Sequence, residues 1–282
     1  MLFAIMENCM RPILEITSMQ NPKLKSALAL KDRRDRDETG LFLIEGFREI
    51  SRATKGNVVI EHLFFSESLF LGTNEPSLLR DIHTKGAEMY SCSEPVLKKL
   101  SYRDRPDGLV AVARQMNTSF RDFSKNFLSK NPFLLIAEAI EKPGNLGTIL
   151  RSCDAVGVDA AIISDKCKDL FNPNVVRASV GTLFTQPVVE ASGKELLHFL
   201  KEHHIQILAA TPHAEKEFTK TDLRGPLAIV VGTEQLGLSK LWMDAADIQV
   251  RIPMRGEADS LNVATATTLL LYEVLRQRTE KN

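Results

Sequence analysis

Neither sign of charge is in excess: the 282-residue chain carries 36 Lys and Arg against 36 Asp and Glu. Net charge alone therefore gives little support to a grip on a polyanion, and a nucleic-acid contact calls for a local face. The balance is +3 over residues 1–130 and −3 over the remainder, which points to the N-terminal part for such a face. Cysteine is scarce. Cys9, Cys92, Cys153 and Cys167 form no CxxC pair and no regular spacing, which speaks against zinc or a disulfide framework and for reduced thiols in the cytoplasm. No apolar run reaches the length of a membrane span, and the opening MLFAIMENCM is too short and lacks a basic flank, so residues 1–15 read as a frayed start. The GxGxxG fingerprint of dinucleotide enzymes and the G-x-S-x-G elbow of hydrolases are both missing. His198, His203 and His204 have no acidic partner at metal-ligand spacing, so no metal is expected.

At 44% hydrophobic residues the chain can bury a sizeable core, and its length accommodates two domains. Residues 16–114 read as a small α/β domain. It starts with a helix entered from Asn21-Pro22 and has strands at 41–46, 58–66, 87–92 and 108–114. Residues 115–131 are polar without a clear period and read as a linker. From 132 to 282, strands at 133–139, 159–164, 186–190, 205–210, 227–232 and 248–253 alternate with helices at 146–156, 175–183, 194–203, 238–245 and 260–278. Nearly uniform apolar strands in such alternation predict a parallel sheet covered on both faces.

Ligands of parallel sheets collect beyond the carboxyl ends of the strands, and three strand ends here carry unusual loops. The first, EAIEKPGNLGTILR, turns on Pro143-Gly144, offers Asn145 as a helix cap and places Arg151 within the helix. The second, VVGTEQLGL, sets two glycines around Glu234 directly after a buried strand, so the backbone can approach a ligand closely. The third runs from a strand stopped by Pro253 through Gly256 to Ser260, placed as an N-cap, and Asn262 in the first turn of a long helix. A turn, a cap and a surface charge would explain each loop alone; their joint occurrence in this order is the signal.

EKPGNLGTILRSCDAVG, AIVVGTEQLGL and QVRIPMRGEADSLNVATATTLLLYEVLR together resemble the three motifs of the SpoU (TrmH-type) RNA 2′-O-ribose methyltransferases of the SPOUT superfamily. NPKLK, GLFLIEGFREI and RPDGLVAV resemble that family's small ribosomal-protein-like substrate-binding domain. The resemblance implies an α/β fold with a C-terminal trefoil knot and a homodimer through that domain. It also implies bound S-adenosyl-L-methionine, with S-adenosyl-L-homocysteine as product, and a structured RNA substrate, rRNA ahead of tRNA. Carried over by motif, it implies a catalytic constellation of Asn145, Arg151, Glu234, Ser260 and Asn262. Cofactor contacts are implied at Thr211, Gly232, Ile252, Leu261 and Asn262. The neutral charge then calls for a local RNA-binding face, with Lys23, Lys25, Arg33, Arg34, Arg36 and Arg177 as candidates. A non-catalytic RNA-binding or ribosome-assembly factor on the same scaffold is the alternative.

Overall fold

The structure is a computed structural model that describes residues 12–127, 129–165, 169–233 and 236–280. Two units emerge. One holds the described residues up to Met116 together with Phe171–Thr185; the other holds Asn117–Leu170 and the described residues from Gln186 onward.

The first unit opens with strand β1 (Leu14–Ile16), then helices α1 (Pro22–Ala29) and α2 (Arg33–Thr39). Asn21 caps α1 by accepting from Lys23 N at 2.9 Å, with Pro22 in the first turn where its missing N–H costs nothing. Asp32 caps α2 in the same way. Next come β2 (Leu41–Glu45), α3 (Phe47–Lys55), β3 (Ile60–Phe65), α4 (Glu75–Thr84), β4 (Glu88–Cys92), α5 (Glu94–Leu100) and β5 (Leu109–Arg114). The sheet order is β1-β4-β3-β5-β2, parallel on the β1-β4-β3 side and antiparallel at β5 and β2. The expected frayed start therefore needs correction: Leu14–Ile16 pairs with Tyr90–Cys92, and Ile16 is buried. Residues 1–11 of that expectation lie outside the described residues.

The second unit begins with α6 (Phe120–Lys125), inside the stretch expected to be a linker. Phe120 and Phe123, with Phe127, surround Phe199 at ring separations of 5.4, 6.3 and 5.4 Å, so an apolar period hidden among polar residues anchors this segment. Then follow β6 (Phe133–Glu138), α7 (Pro143–Val156) and β7 (Ala160–Ser164). The chain passes through α8 (Pro173–Ala178), which packs in the first unit, and returns to β8 (Val188–Ala191) and α9 (Gly193–Glu202). It ends with β9 (Gln206–Ala210), β10 (Lys216–Glu217), β11 (Leu227–Val231), α10 (Lys240–Ala245), β12 (Ile248–Arg251) and α11 (Val263–Thr279). All strand pairs in the order β10-β12-β9-β11-β6-β7-β8 are parallel, as the apolar alternation predicts.

One helix expectation breaks. The 175–183 helix is six residues, Pro173–Ala178, followed by a separate turn at Thr182–Phe184. Val180 and Gly181 sit at φ 54° and 81° between them, a conformation that ends an α-helix. No helix among the described residues is long and apolar enough to cross a membrane.

Candidate active site

The carboxyl ends of β9, β11 and β12 open onto a cavity of about 390 Å³. Its wall includes Thr211, Gly232, Ile252, Leu261 and Ser260, so four of the five expected cofactor positions and one expected catalytic position meet there. Thr211 is held by its N–H to Val250 O at 3.0 Å, which fixes the first residue beyond β9 against β12. Beyond β11 the chain makes a tight loop: Thr233 N donates to Gly237 O at 3.1 Å and Gly237 N returns to Thr233 O at 3.0 Å. Gly237 has φ 65°. A Cβ on Gly232 would lie 2.2 Å from Gly237 O and 2.8 Å from Leu238 N, both backbone, so only glycine lets the loop fold this close.

Glu138, which sequence reasoning passed over, is a tie of this loop. It is buried at the end of β6, and its carboxylate accepts from Ser239 N at 2.8 Å. The signal was available, because a carboxylate ending an otherwise apolar strand needs a partner. The next residue, Ala139, has φ 51°, strained for a residue with a Cβ, where the chain leaves the sheet for α7.

The first and third motifs meet through two asparagines. Asn262, not Ser260, caps α11: its Oδ1 accepts from Ala264 N at 3.1 Å, correcting the expected cap. Its Nδ2 donates to Asn145 Oδ1 at 3.1 Å. Asn145 is not the cap of α7 either; Lys142 holds that position, and Asn145 lies in the first turn facing α11. A second tie lies one heptad along α7, where the Ser152 and Thr268 hydroxyls are 2.7 Å apart. Asn145 lines a recess of about 90 Å³ that shares Thr233, Leu236 and Val263 with the larger cavity. Asn262 lines neither space. Arg151 is exposed, roughly 120° round α7 from Asn145, lines neither cavity, and has no hydrogen-bond or ion-pair partner among the described residues. Glu234 lies outside the described residues.

The candidate RNA-binding cations divide. Lys25, Arg34 and Arg177 are exposed. Lys23 pairs with Glu88 at 2.9 Å and Arg33 with Asp37 at 3.1 Å, both still accessible to solvent. Arg36 is a correction: it is buried, and its Nη1 donates to Leu30 O at 2.7 Å and Lys31 O at 3.0 Å, so it braces the α1–α2 turn and cannot reach a phosphate.

Residues 132–272 match the SpoU rRNA Methylase family, and residues 21–111 match the MRM3-like substrate binding domain. A 23S rRNA (guanosine(2553)-2′-O)-methyltransferase of Bacillus subtilis is 27% identical over 260 residues, 92% of this chain and 98% of that protein. A 23S rRNA (uridine(2479)-2′-O)-methyltransferase of Streptomyces viridochromogenes is 31% identical over 257 residues, 88% of this chain and 87% of that one. Among solved structures, an RNA 2′-O ribose methyltransferase is 42% identical with a TM-score of 0.81, covering 94% of this chain and 99% of its own. An AdoMet-bound rRNA methyltransferase from Sinorhizobium meliloti is 28% identical with a TM-score of 0.85, covering 95% of this chain and 99% of its own.

Proposed function

Because the chain belongs to the SpoU rRNA methylase family, we propose that it transfers a methyl group from S-adenosylmethionine to a ribose 2′-hydroxyl of ribosomal RNA. The observation that carries this reading is the Asn145–Asn262 bond, which joins two separated motifs beside a cavity built by the other loops. The cofactor fits the residues present: the Gly232 turn brings backbone to the wall with no room for a side chain, and Ile252 and Leu261 offer apolar surface. When bound there, S-adenosylmethionine supplies an activated methyl group on a sulfonium.

The chain's own residues must present the hydroxyl in line and provide for its proton. Asn145 lines the recess next to the cavity, where the acceptor ribose would enter. Asn262 uses its carbonyl on the helix cap and its amide on Asn145, so it fixes which way Asn145 points. Exposed Arg151 has the role of holding the phosphate beside the target ribose. Ser260 at the cavity wall completes the polar network around the hydroxyl.

The dimeric state and the compartment belong to the same proposal. Leu269 and Tyr272, 41% and 49% exposed and three residues apart on α11, are suited to an interface with a second copy of the chain. The C-terminal unit is then knotted and the dimer works in the cytoplasm, where ribosomal RNA is processed.

Calorimetric titration should show S-adenosylmethionine binding to the wild type and at least about ten-fold weaker binding to Gly232→Ala. Methyl transfer to an unmodified rRNA transcript and not to a tRNA transcript is expected. Absence of cofactor binding by the wild type, or transfer to tRNA alone, would overturn the reading.

A further inference from the structure

We infer that Asp259 responds to the positive charge on the sulfur of the methyl donor and weights the site towards the donor over the spent thioether. This rests on the reading that S-adenosylmethionine occupies the cavity, and it adds a residue that eases product release once the methyl has left.

The wall of the cavity, about 390 Å³ in volume, is mostly apolar, with Val231, Leu238, Met243, Val250, Ile252 and Met254 on it. Among the described residues Asp259 is the one carboxylate of that wall, and no Lys or Arg joins it there. His213, the other titratable side chain on the wall, bears no negative charge in either protonation state. Asp259 has no hydrogen-bond or ion-pair partner among the described residues. Its charged loop neighbours Arg255 and Glu257 do not line the cavity, and Arg251 leans towards Glu217, at 3.9 Å. The described wall therefore carries one unbalanced negative charge.

Asp259 is exposed, so water solvates it until a ligand fills the space and displaces part of that shell. A neutral occupant would leave the carboxylate partly desolvated with nothing in return, whereas a cation offsets the loss. The apolar surroundings strengthen the attraction, because they screen a charge less than water does.

Donor and product differ by one methyl and one positive charge. The methyl has to face the acceptor hydroxyl, away from the wall, so charge is the difference that the wall can register. A sulfonium has no hydrogen to donate, so hydrogen bonds cannot select it; a fixed anion can. The amino and carboxylate groups at the methionine end are common to both compounds and do not distinguish them. In the transfer the S–CH₃ bond breaks with its electron pair left on sulfur, the O–CH₃ bond forms, and the hydroxyl proton is released to water. The sulfur ends neutral, and the pull of Asp259 lapses when product must depart.

The test is calorimetric titration of the full chain with S-adenosylmethionine, S-adenosylhomocysteine and sinefungin, whose protonated amine stands in for the sulfonium methyl. Asp259→Asn keeps the size and removes the charge. It should weaken S-adenosylmethionine and sinefungin about five-fold and leave S-adenosylhomocysteine within about two-fold of wild type. That unchanged affinity also shows that the variant's cavity is folded. Asp259→Glu should keep the wild-type ratio of donor to product affinity, and added salt should narrow that ratio in the wild type but not in Asp259→Asn. An equal loss for donor and product assigns Asp259 to the shared amino group and overturns the inference. A ratio that Asp259→Asn leaves within about two-fold, or that Asp259→Glu loses as fully, also overturns it. A wild-type chain that binds neither compound refutes the cofactor reading and this inference with it; one that binds both with a ratio indifferent to Asp259 refutes the inference alone.

Discussion

Asn262 joins the cap of α11 to a bond between two separated motifs. Asn262→Ala removes the cap of α11 and the bond to Asn145. It should cost about 1 kcal/mol in stability and lower kcat at least about ten-fold, with the affinity for S-adenosylmethionine nearly unchanged. Asn262→Asp keeps the cap acceptor and loses the donor, so thermal unfolding and kinetics on the two variants separate the roles. The asparagines could be singled out in the sequence, but which one caps could not, because Ser260 and Asn262 are both good caps two residues apart. Arg36 illustrates the opposite limit. Within KDRRDR it looks like its neighbours, and only the turn back onto the Leu30 and Lys31 carbonyls makes it structural. Glu88 yields a prediction of another kind. The Tyr90 hydroxyl and the Lys23 ammonium, both hydrogen-bonded to its carboxylate, hold its pKa down to about 2 from 4.5. Its contribution is present above pH 4.5 and lost as pH falls towards 2. Glu88→Gln should therefore flatten the acid limb of the unfolding-against-pH curve in that window, leaving neutral-to-acid differences smaller than in the wild type.

Among the elements, the strands of both sheets were legible because apolar and branched residues cluster between turn signals. Two were not. β10 is only two residues, too short to carry a period, and β1 lies in a start that its polar and apolar residues leave undecided. The passage 171–185 is illegible in the sequence for a different reason: it follows β7 and precedes β8 in the chain, yet its packing partners are distant in sequence. Phe171 and Phe184 approach Phe42 at ring separations of 4.9 and 6.0 Å within the first unit. Phe42 is fully buried there. Phe171→Ala should then destabilise by roughly 3 kcal/mol in urea unfolding, and a fragment ending at Met116 should be less stable than the same unit in the full chain. A fragment as stable as the full chain's unit would show that these rings contribute little.

For the molecule as a whole, motif order pointed to strand ends, and the parallel sheet places Thr211, Gly232, Ile252 and Leu261 around one cavity. What sequence could not supply was orientation. Arg151 belongs to the first motif but faces away from both spaces in its own chain, so the phosphate it would hold must reach it from outside the cavity. Sedimentation of the purified protein should accordingly report a dimer, and a monomer that retains full activity would remove the need for a second copy.

The most direct measurement is alkaline hydrolysis of unmodified rRNA after incubation with the purified chain and methyl-labelled S-adenosylmethionine. Alkaline cleavage needs a free 2′-hydroxyl, so ribose methylation leaves the label in an alkali-resistant dinucleotide. The account predicts such a dinucleotide from a single site, strongly reduced with Asn145→Ala. Label released as mononucleotide, which places the methyl on a base, or no label at all, would contradict it.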